Sequence, residues 1–171
     1  MIELKEVIRT IPDFPEQGIL FRDITTVLQN PDAFKFAVDK IADAVSGWDF
    51  DLIAGPESRG FIFGTPLSYI LGKGFVPIRK AGKLPYKTIS KSYSLEYGSA
   101  SVEMHTDAIL PGQKVIIIDD LLATGGTCKA IAQLIEEAGG EVAGMCFLIE
   151  LLELGGREKN SGYDIKSILR Y

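Results

Sequence analysis

The chain has 171 residues, of which 46% are hydrophobic and 24% charged. That length and composition predict one globular domain over residues 1–171, and they exclude intrinsic disorder and fibrous repeats. A net charge of −5 disfavours nucleic-acid binding, because a phosphate backbone attracts broadly basic surfaces. Any anionic ligand must therefore be held by a local site.

Cysteine and hydropathy patterns indicate the cellular compartment. Cys128 and Cys146 lack the spacing of a zinc site or a disulfide framework, which favours a reducing environment. The sequence has no run of about 18 uncharged apolar residues, and its N-terminal segment carries acids. We therefore expect a cytoplasmic protein that does not engage a membrane.

The N-terminal third begins with irregular patterns and ends in a clear helix. Residues 2–9 predict a short helix, and the two prolines and one glycine of residues 11–25 indicate an ordered loop. Asn30 and Pro31 are typical of a helix start, and apolar residues recur at helical spacing up to Gly47.

Apolar strands and helices alternate through the rest of the chain. Residues 51–55 predict a strand, residues 61–72 a helix and residues 74–80 another strand. Lysines and glycines followed by alternating β-branched and aromatic residues indicate a mobile loop and a β-hairpin over residues 80–106. Further on, strands are predicted over residues 114–120 and 142–151, and a helix over residues 127–138. Such alternation favours an α/β fold with a parallel sheet covered on both faces.

Two adjacent carboxylates, Asp119 and Asp120, stand at the carboxyl end of a predicted strand, where open α/β sheets bind ligands. The residues after them form a small-residue turn before a helix: Ala123, Thr124, Gly125, Gly126 and Thr127. Backbone N–H groups of such a turn can converge on a phosphate, although ordinary turns use the same residues. Two acids suit that location if they face a sugar diol or a divalent cation. The spacing matches neither the ATPase loop nor the dinucleotide-binding fingerprint.

The segment VIIIDDLLATGGT, residues 115–127, resembles the phosphoribosyl pyrophosphate (PRPP) signature of the type I phosphoribosyltransferases. Five further segments resemble adenine-specific members of that family, in the same order along nearly the whole chain. They are IPDFPEQGILFRDIT, GPESRGFIFG, IRKAGKLP, YSLEYG and FLIELLEL. The resemblance implies the α/β type I phosphoribosyltransferase fold, a central mostly parallel sheet flanked by helices. It further implies a small hood with the base-recognition segment in residues 1–30, and a flexible loop with a β-hairpin in residues 80–106.

The resemblance also implies the reaction. The 5-phosphoribosyl group of PRPP would pass to N9 of adenine, giving AMP and pyrophosphate in purine salvage. The implied cofactor is Mg²⁺, held mainly by PRPP and water without direct side-chain ligands. Adenine and PRPP would be the small-molecule partners, with no nucleic acid or membrane involved, and the enzyme would be a homodimer.

Individual roles follow from the same resemblance. Asp119 and Asp120 would hold the ribose hydroxyls, and residues 123–127 the 5′-phosphate. The residues implied for the pyrophosphate are Glu57, Ser58, Arg59, Arg79, Lys80, Lys83 and His105. The residues implied for adenine are Leu20 and Arg22, through their backbone, and Phe21, by stacking. Glu96 would manage the purine proton and Arg59 would be the principal catalytic cation.

Each of these side chains also has a structural explanation. Arg59, the cluster of cations and Glu96 can be solvated surface charges, and Phe21 can belong to the core. His105, the only histidine, can be a surface or structural residue.

Two other functions remain open. One is transfer to xanthine or hypoxanthine, because the PRPP signature does not read the base. The other is a non-catalytic regulator of the same fold that senses PRPP or purines. The segments GILFRDI and SLEYG favour adenine, and the acidic single-domain chain lacks the basic face of a DNA-binding regulator.

Overall fold

The computed structural model describes residues 2–94 and 99–171. The strands are β1 (Arg9–Pro12), β2 (Leu20–Asp23), β3 (Leu52–Pro56), β4 (Gly74–Lys80), β5 (Thr88–Ser94), β6 (Ser99–His105), β7 (Lys114–Leu122), β8 (Glu141–Glu150) and β9 (Ile165–Arg170). The helices are α1 (Leu4–Val7), α2 (Thr25–Gln29), α3 (Pro31–Val45), α4 (Arg59–Leu71), α5 (Gly126–Glu137) and α6 (Gly156–Lys159), with a 3₁₀ turn at Leu152–Leu154.

A seven-stranded sheet in the order β5-β6-β4-β3-β7-β8-β9 forms the centre of the fold. Strands β4, β3, β7, β8 and β9 run parallel to one another, whereas β6 is antiparallel to both β4 and β5. The carboxyl ends of β3, β7 and β8 therefore meet at one edge of the sheet, which confirms the predicted mostly parallel α/β architecture.

Apolar side chains cover both faces of this sheet. On one face, helices α3 and α4 pack against alternate residues of β7 and β8, such as Ile116 and Leu148. On the other face, α5 and the β5–β6 hairpin pack against the intervening residues, such as Ile117 and Phe147. Burial on both sides explains why these strands read as continuous apolar runs in the sequence.

The helix predicted after Asn30 is confirmed. The Asn30 side-chain oxygen accepts hydrogen bonds from the backbone N–H groups of Asp32 and Ala33, both at 3.1 Å, and Pro31 occupies the first helical position. The predicted hairpin in residues 80–106 is also present as β5 and β6, which pair from Thr88–His105 to Ser94–Ser99.

One N-terminal prediction was too long and another was wrong. The helix predicted over residues 2–9 is confined to α1, because Arg9 already belongs to a strand. Residues 11–25, predicted as a loop, instead contribute to an antiparallel pair in which β1 and β2 align Arg9 with Asp23 and Pro12 with Leu20. The prolines and the glycine that indicated a loop lie in the connection between these strands or at a strand end. At those places the N–H that proline lacks costs no ladder hydrogen bond.

We call residues 9–23 the N-terminal hairpin. Its connection is stabilised by a hydrogen bond of 2.7 Å from the Gly18 N–H to the Asp13 carboxylate. Helices α2 and α6 and strand β9 were not predicted either, because they are short or lack a strong apolar period.

Candidate active site

The carboxyl edge of the sheet brings two loops together. Strand β3 ends at Pro56 and is followed by helix α4 from Arg59, while its neighbour β7 ends at Leu122 and is followed by helix α5 from Gly126. Two cavities of about 170 Å³ each lie between these loops. Arg59, Asp119, Asp120 and Thr127 line both cavities, so residues far apart in sequence share one site.

The paired carboxylates occupy the floor of this site. Asp120 is almost fully buried, and its carboxylate lies 3.2 Å from Nε of Arg59. The Asp120 N–H donates a hydrogen bond of 2.9 Å to the Asp119 carboxylate. Burial raises the pKa of both carboxyl groups above the ordinary 3.8; for Asp119, the negative charge of Asp120 raises it further, whereas Arg59 lowers the pKa of Asp120.

Residues 123–127, which we call the phosphate loop, line the second cavity. Gly125 has a φ of +76°, a left-handed conformation that glycine adopts without steric cost. Its carbonyl oxygen accepts hydrogen bonds from the backbone N–H of Lys129 at 3.1 Å, Nδ2 of Asn160 at 3.0 Å and Sγ of Cys128 at 3.3 Å. Because a trans peptide holds C=O and N–H in opposite directions, the Gly126 N–H is turned away from these donors. It is available to an anion in the cavity that Gly126 lines.

The segment around helix α6 packs directly against the backbone of the phosphate loop. Asn160 is completely buried, and a Cβ added to Gly125 would lie only 2.5 Å from its Nδ2. A Cβ added to Gly156 would lie 2.3 Å from the Ala123 carbonyl oxygen. Glycine at both positions therefore allows a backbone approach that no other residue permits.

An ion pair with the buried Glu150 carboxylate holds this supporting segment to the sheet. Arg157 donates hydrogen bonds of 2.7 and 2.6 Å to the two carboxylate oxygens of Glu150, at the end of β8. These hydrogen bonds, with a further one from Ser167, hold the pKa of Glu150 below its usual 4.5 although burial opposes them. Gly156 is thereby fixed next to the phosphate loop.

The loop after β3 presents charged residues to the same site. A cavity there is lined by Glu57, Ser58, Arg59, Phe61, Arg79 and Lys80. Arg79 hydrogen-bonds through Nε to the Glu57 carboxylate, and this contact holds the pKa of Glu57 below its usual range. The peptide bond between Glu57 and Ser58 is cis.

Two predicted pyrophosphate residues lie apart from the three cavities. Lys83 is exposed and does not line them; its carbonyl oxygen lies 3.4 Å from Nη1 of Arg79. The ring of His105 contacts Tyr86 edge-on, with 6.1 Å between centroids. Within residues 2–94 and 99–171, His105 Nε2 is buried without a hydrogen-bond partner. A pyrophosphate role for Lys83 and His105 stays a prediction.

The predicted base-recognition residues form strand β2 of the N-terminal hairpin. Leu20 is 53% exposed, and Phe21 packs edge-to-face against Phe14 with ring centroids 5.2 Å apart. Arg22 places its guanidinium 4.0 Å from the centre of the Tyr171 ring. The structure does not place these side chains in the lining of the three cavities, so their base-binding role also stays a prediction.

Comparisons with known proteins agree with this architecture. A family model described as a phosphoribosyl transferase domain matches residues 23–169. An adenine phosphoribosyltransferase of Lachnoclostridium phytofermentans is 58% identical over 171 residues, covering 100% of this chain and 98% of that protein. The chain belongs to the phosphoribosyl transferase family, in its adenine phosphoribosyltransferase branch.

Solved structures of the same branch superpose closely. The crystal structure of adenine phosphoribosyltransferase from Thermoanaerobacter pseudethanolicus has a TM-score of 0.96 at 56% identity, covering 98% of each chain. The enzyme from Saccharomyces cerevisiae, complexed with an imino-altritol bisphosphate and adenine, has a TM-score of 0.90 at 40% identity, covering 96% of each chain. The type I fold and the enzyme class predicted from the sequence, a pentosyltransferase of this branch, are confirmed.

Tyr93 and Asn160 belong to the site but were missed by the sequence prediction. Tyr93 lines the first cavity, and its hydroxyl accepts a hydrogen bond of 3.1 Å from Thr127 Oγ1. Alternation along β5 could have assigned Tyr93 to the apolar face of the hairpin, but not to the start of α5. Asn160 follows a four-residue helix and carries no local signal of its role.

Glu96, the predicted proton-managing residue, lies outside the described residues. Among residues 2–94 and 99–171, no group of three or more His, Cys, Asp or Glu side chains could hold a metal ion. No helix in those same ranges is both long enough and apolar enough to cross a bilayer.

Proposed function

We propose that this chain transfers the 5-phosphoribosyl group of PRPP to N9 of adenine, forming AMP and pyrophosphate in purine salvage. The observation that carries the proposal is the carboxylate pair beside the phosphate loop. Asp119, Asp120 and Thr127 share one cavity with Arg59, so acceptors for a diol, donors for a phosphate and a cation for a leaving group are adjacent. The adenine branch of the family supplies the identity of the base.

The ribose and its 5′-phosphate use different parts of the β7–α5 connection. Asp119 and Asp120 accept hydrogen bonds from the 2′- and 3′-hydroxyls, and the N–H groups of residues 123–127 bind the phosphate at the N-terminus of α5. Nε of Arg59 lies 3.2 Å from the Asp120 carboxylate, so the cation that would meet the pyrophosphate is held beside an acceptor for the ribose. Because Asp120 is buried, this ion pair also keeps its carboxylate from being left unpaired.

Catalysis depends on positioning and on stabilising the departing charge. As the bond from C1′ to pyrophosphate breaks, positive charge develops on the ribose and N9 attacks from the opposite face, with inversion. Arg59, Arg79 and Lys80 neutralise the leaving group, while Glu57 orients Arg79 through their ion pair. Lys83 and His105 complete the pyrophosphate site when the loop and β-hairpin of residues 80–106 close over it, which also excludes water.

Adenine is held by the N-terminal hairpin. Phe21 stacks on the purine, and the backbone of Leu20 and Arg22 hydrogen-bonds its edge. Glu96 acts as the general acid–base group for the purine proton as N9 attacks, a role that contributes about 10²–10⁴-fold in rate. A site that hydrogen-bonds the exocyclic amine rejects a 6-oxopurine, because the carbonyl leaves buried groups unpaired.

The donor set of the site fits Mg²⁺. Magnesium prefers oxygen ligands, retains several waters and is commonly bound by substrate phosphates with one or two carboxylates nearby. PRPP and water would hold the ion mainly, without direct side-chain ligands, because Asp119 and Asp120 accept the ribose hydroxyls and Glu57 pairs with Arg79. The bound ion would neutralise charge on the pyrophosphate.

We further propose that the enzyme is cytoplasmic and forms a homodimer. Light scattering, which measures the mass of the assembly, can test the dimer.

A base-competition assay tests the function. The purified chain, with PRPP and Mg²⁺, is offered adenine, hypoxanthine and xanthine in parallel, and the nucleotides formed are separated and measured. AMP from adenine alone supports the proposal. Turnover of a 6-oxopurine without AMP formation contradicts the base assignment, and PRPP binding without turnover of any base favours a regulator. Glu96→Ala is expected to slow AMP formation, with PRPP binding preserved.

A further inference from the structure

The N-terminal hairpin is held to the central sheet through a stacked pair of side chains. The Arg22 guanidinium carbon lies 4.0 Å from the centre of the Tyr171 ring, well within the roughly 6 Å range of a cation–π contact. Nη1 of Arg22 also donates a hydrogen bond of 2.5 Å to Thr10 Oγ1, on the paired strand β1. Arg22 therefore joins both strands of the hairpin to Tyr171.

Tyr171 is itself rigidly placed. Its N–H donates to the Glu150 carbonyl at 3.0 Å, and its own carbonyl accepts from the Leu152 N–H at 2.9 Å. Its ring packs against the buried apolar cluster that includes Ile24 and Ile149. Burial raises the pKa of the phenol above its ordinary 10.0, so the ring stays neutral. The ring is a fixed platform for the arginine.

The platform is in register with the phosphate loop. Leu122 on β7 aligns with Glu150 on β8, and Glu150 aligns with Arg170 on β9, immediately before Tyr171. Adjacent strands are about 4.8 Å apart, so Tyr171 stands roughly 10 Å along the sheet from the strand that carries the ribose carboxylates. The sheet thus sets the distance between the sugar site and the hairpin.

We propose that Tyr171 is a positioning residue for the base: by holding Arg22 it sets the position of the β2 backbone that reads adenine. This inference rests on the proposed function. Backbone groups cannot be re-aimed by changing a rotamer, so the placement of the whole strand decides the length of each hydrogen bond to the purine. A small displacement of β2 would weaken adenine binding and leave the phosphate loop unchanged.

Kinetics of two substitutions at this position test the inference. Tyr171→Leu keeps apolar bulk but removes the aromatic face, and we expect the KM for adenine to rise about 2- to 30-fold, as expected for loss of a cation–π contact. The KM for PRPP should stay unchanged. Tyr171→Phe keeps the face and should match the wild type, because the Tyr171 hydroxyl has no partner within the described residues.

A matched control separates positioning from general destabilisation. Lys166 makes a similar contact with Trp48, 4.6 Å from the ring centre, away from the proposed site. Lys166→Met is expected to lower the melting temperature without changing either KM. A purely structural role for Tyr171 predicts the same behaviour for Tyr171→Leu, and that result would overturn the inference.

A double-mutant cycle with Arg22→Met completes the test and replaces the first variant if Tyr171→Leu does not fold. If Tyr171 acts through Arg22, the double variant binds adenine no more weakly than the worse single variant. Additive effects on the KM for adenine, or an unchanged KM in Arg22→Met, overturn the inference alone. Absence of AMP formation by the wild type overturns the proposed function and this inference together.

Discussion

The phosphate loop and the N-terminal hairpin, the two proposed substrate-binding regions, are built in different ways. The phosphate loop follows a central strand and rests on Asn160 and Gly156 so closely that added Cβ atoms would collide with its supports. The hairpin is buried only at its base, beside Ile8 and Ile24, whereas residues 12–20, which form the connection and the adjoining strand ends, are exposed. Under the proposed function, the rigid core would bind the part of the substrate common to the family, whereas a peripheral element would bind the base.

The largest effect is expected where the packing of the phosphate loop is broken. Gly125→Ala places a Cβ 2.5 Å from Asn160 Nδ2 on a residue with φ of +76°. Strain of about 1–3 kcal/mol from the backbone alone, with the collision added, is expected to lower kcat/KM for PRPP by at least about 100-fold.

Gly72→Ala is the matched control for this substitution. Gly72 also has a positive φ, of +62°, but nothing lies within 4 Å of its added Cβ, and it ends helix α4 away from the cavities. It should lower the melting temperature and preserve the KM for PRPP. Equal losses of kcat/KM in the two variants would show that the close packing against Asn160 is unimportant.

A smaller effect is expected from the carboxylate pair. Asp120→Asn removes a charged acceptor for a ribose hydroxyl and the ionic partner of Arg59. Hydrogen bonds to charged groups contribute about 1.5–3 kcal/mol, so kcat/KM for PRPP should fall by about 10- to 100-fold. Asp39→Asn, on the exposed side of α3, should leave it unchanged. Unaltered PRPP kinetics in Asp120→Asn would contradict the assignment of the sugar site.

A substitution in the N-terminal hairpin should affect adenine and not PRPP, and its effect should be smaller than that of Asp120→Asn. Phe21→Leu preserves an apolar side chain but removes the ring proposed to stack on adenine, a contribution of about 0.5–1.5 kcal/mol beyond buried area. The KM for adenine should rise by about 2- to 10-fold with the KM for PRPP unchanged. Phe34→Leu, which disrupts the remote Phe34–Phe63 contact, is the control. A rise in the KM for PRPP would mean that the two regions are not independent.

The smallest effect on kinetics is expected at Glu150, whose role is structural. Its pKa is held below 4.5 in the folded chain, chiefly by Arg157. A lowered carboxyl pKa stabilises the fold fully above pH 4.5, and the stabilisation is lost as the pH falls through the folded-state pKa. Denaturant unfolding should be measured as the pH falls from 4.5 through the folded-state pKa of Glu150. Over that pH range the unfolding free energy should fall less in Glu150→Gln than in the wild type. Parallel pH profiles would exclude this linkage.

The sequence predicted the secondary structure of the phosphate loop and its flanking elements better than that of the N-terminal hairpin. Residues 115–127 combine a buried strand, two acids, a glycine turn and a helix start in one continuous segment, so local rules predicted its structure, whereas its chemistry stays a prediction. The helix after Asn30 was predicted for the same reason, since its cap and its apolar period are both local. In the N-terminal hairpin, turn residues dominated the pattern and concealed the pairing of β1 with β2.

The sequence by itself determined the family, the parallel α/β sheet and the segment proposed to bind PRPP, because these depend on periodicity and on contiguous motifs. Only the tertiary structure decided that Tyr93 contacts Thr127, that Asn160 supports Gly125 and that Tyr171 stacks on Arg22. Each of these pairs joins residues more than thirty positions apart. Their meeting depends on strand order and register, which set where distant side chains come together and which no local pattern records.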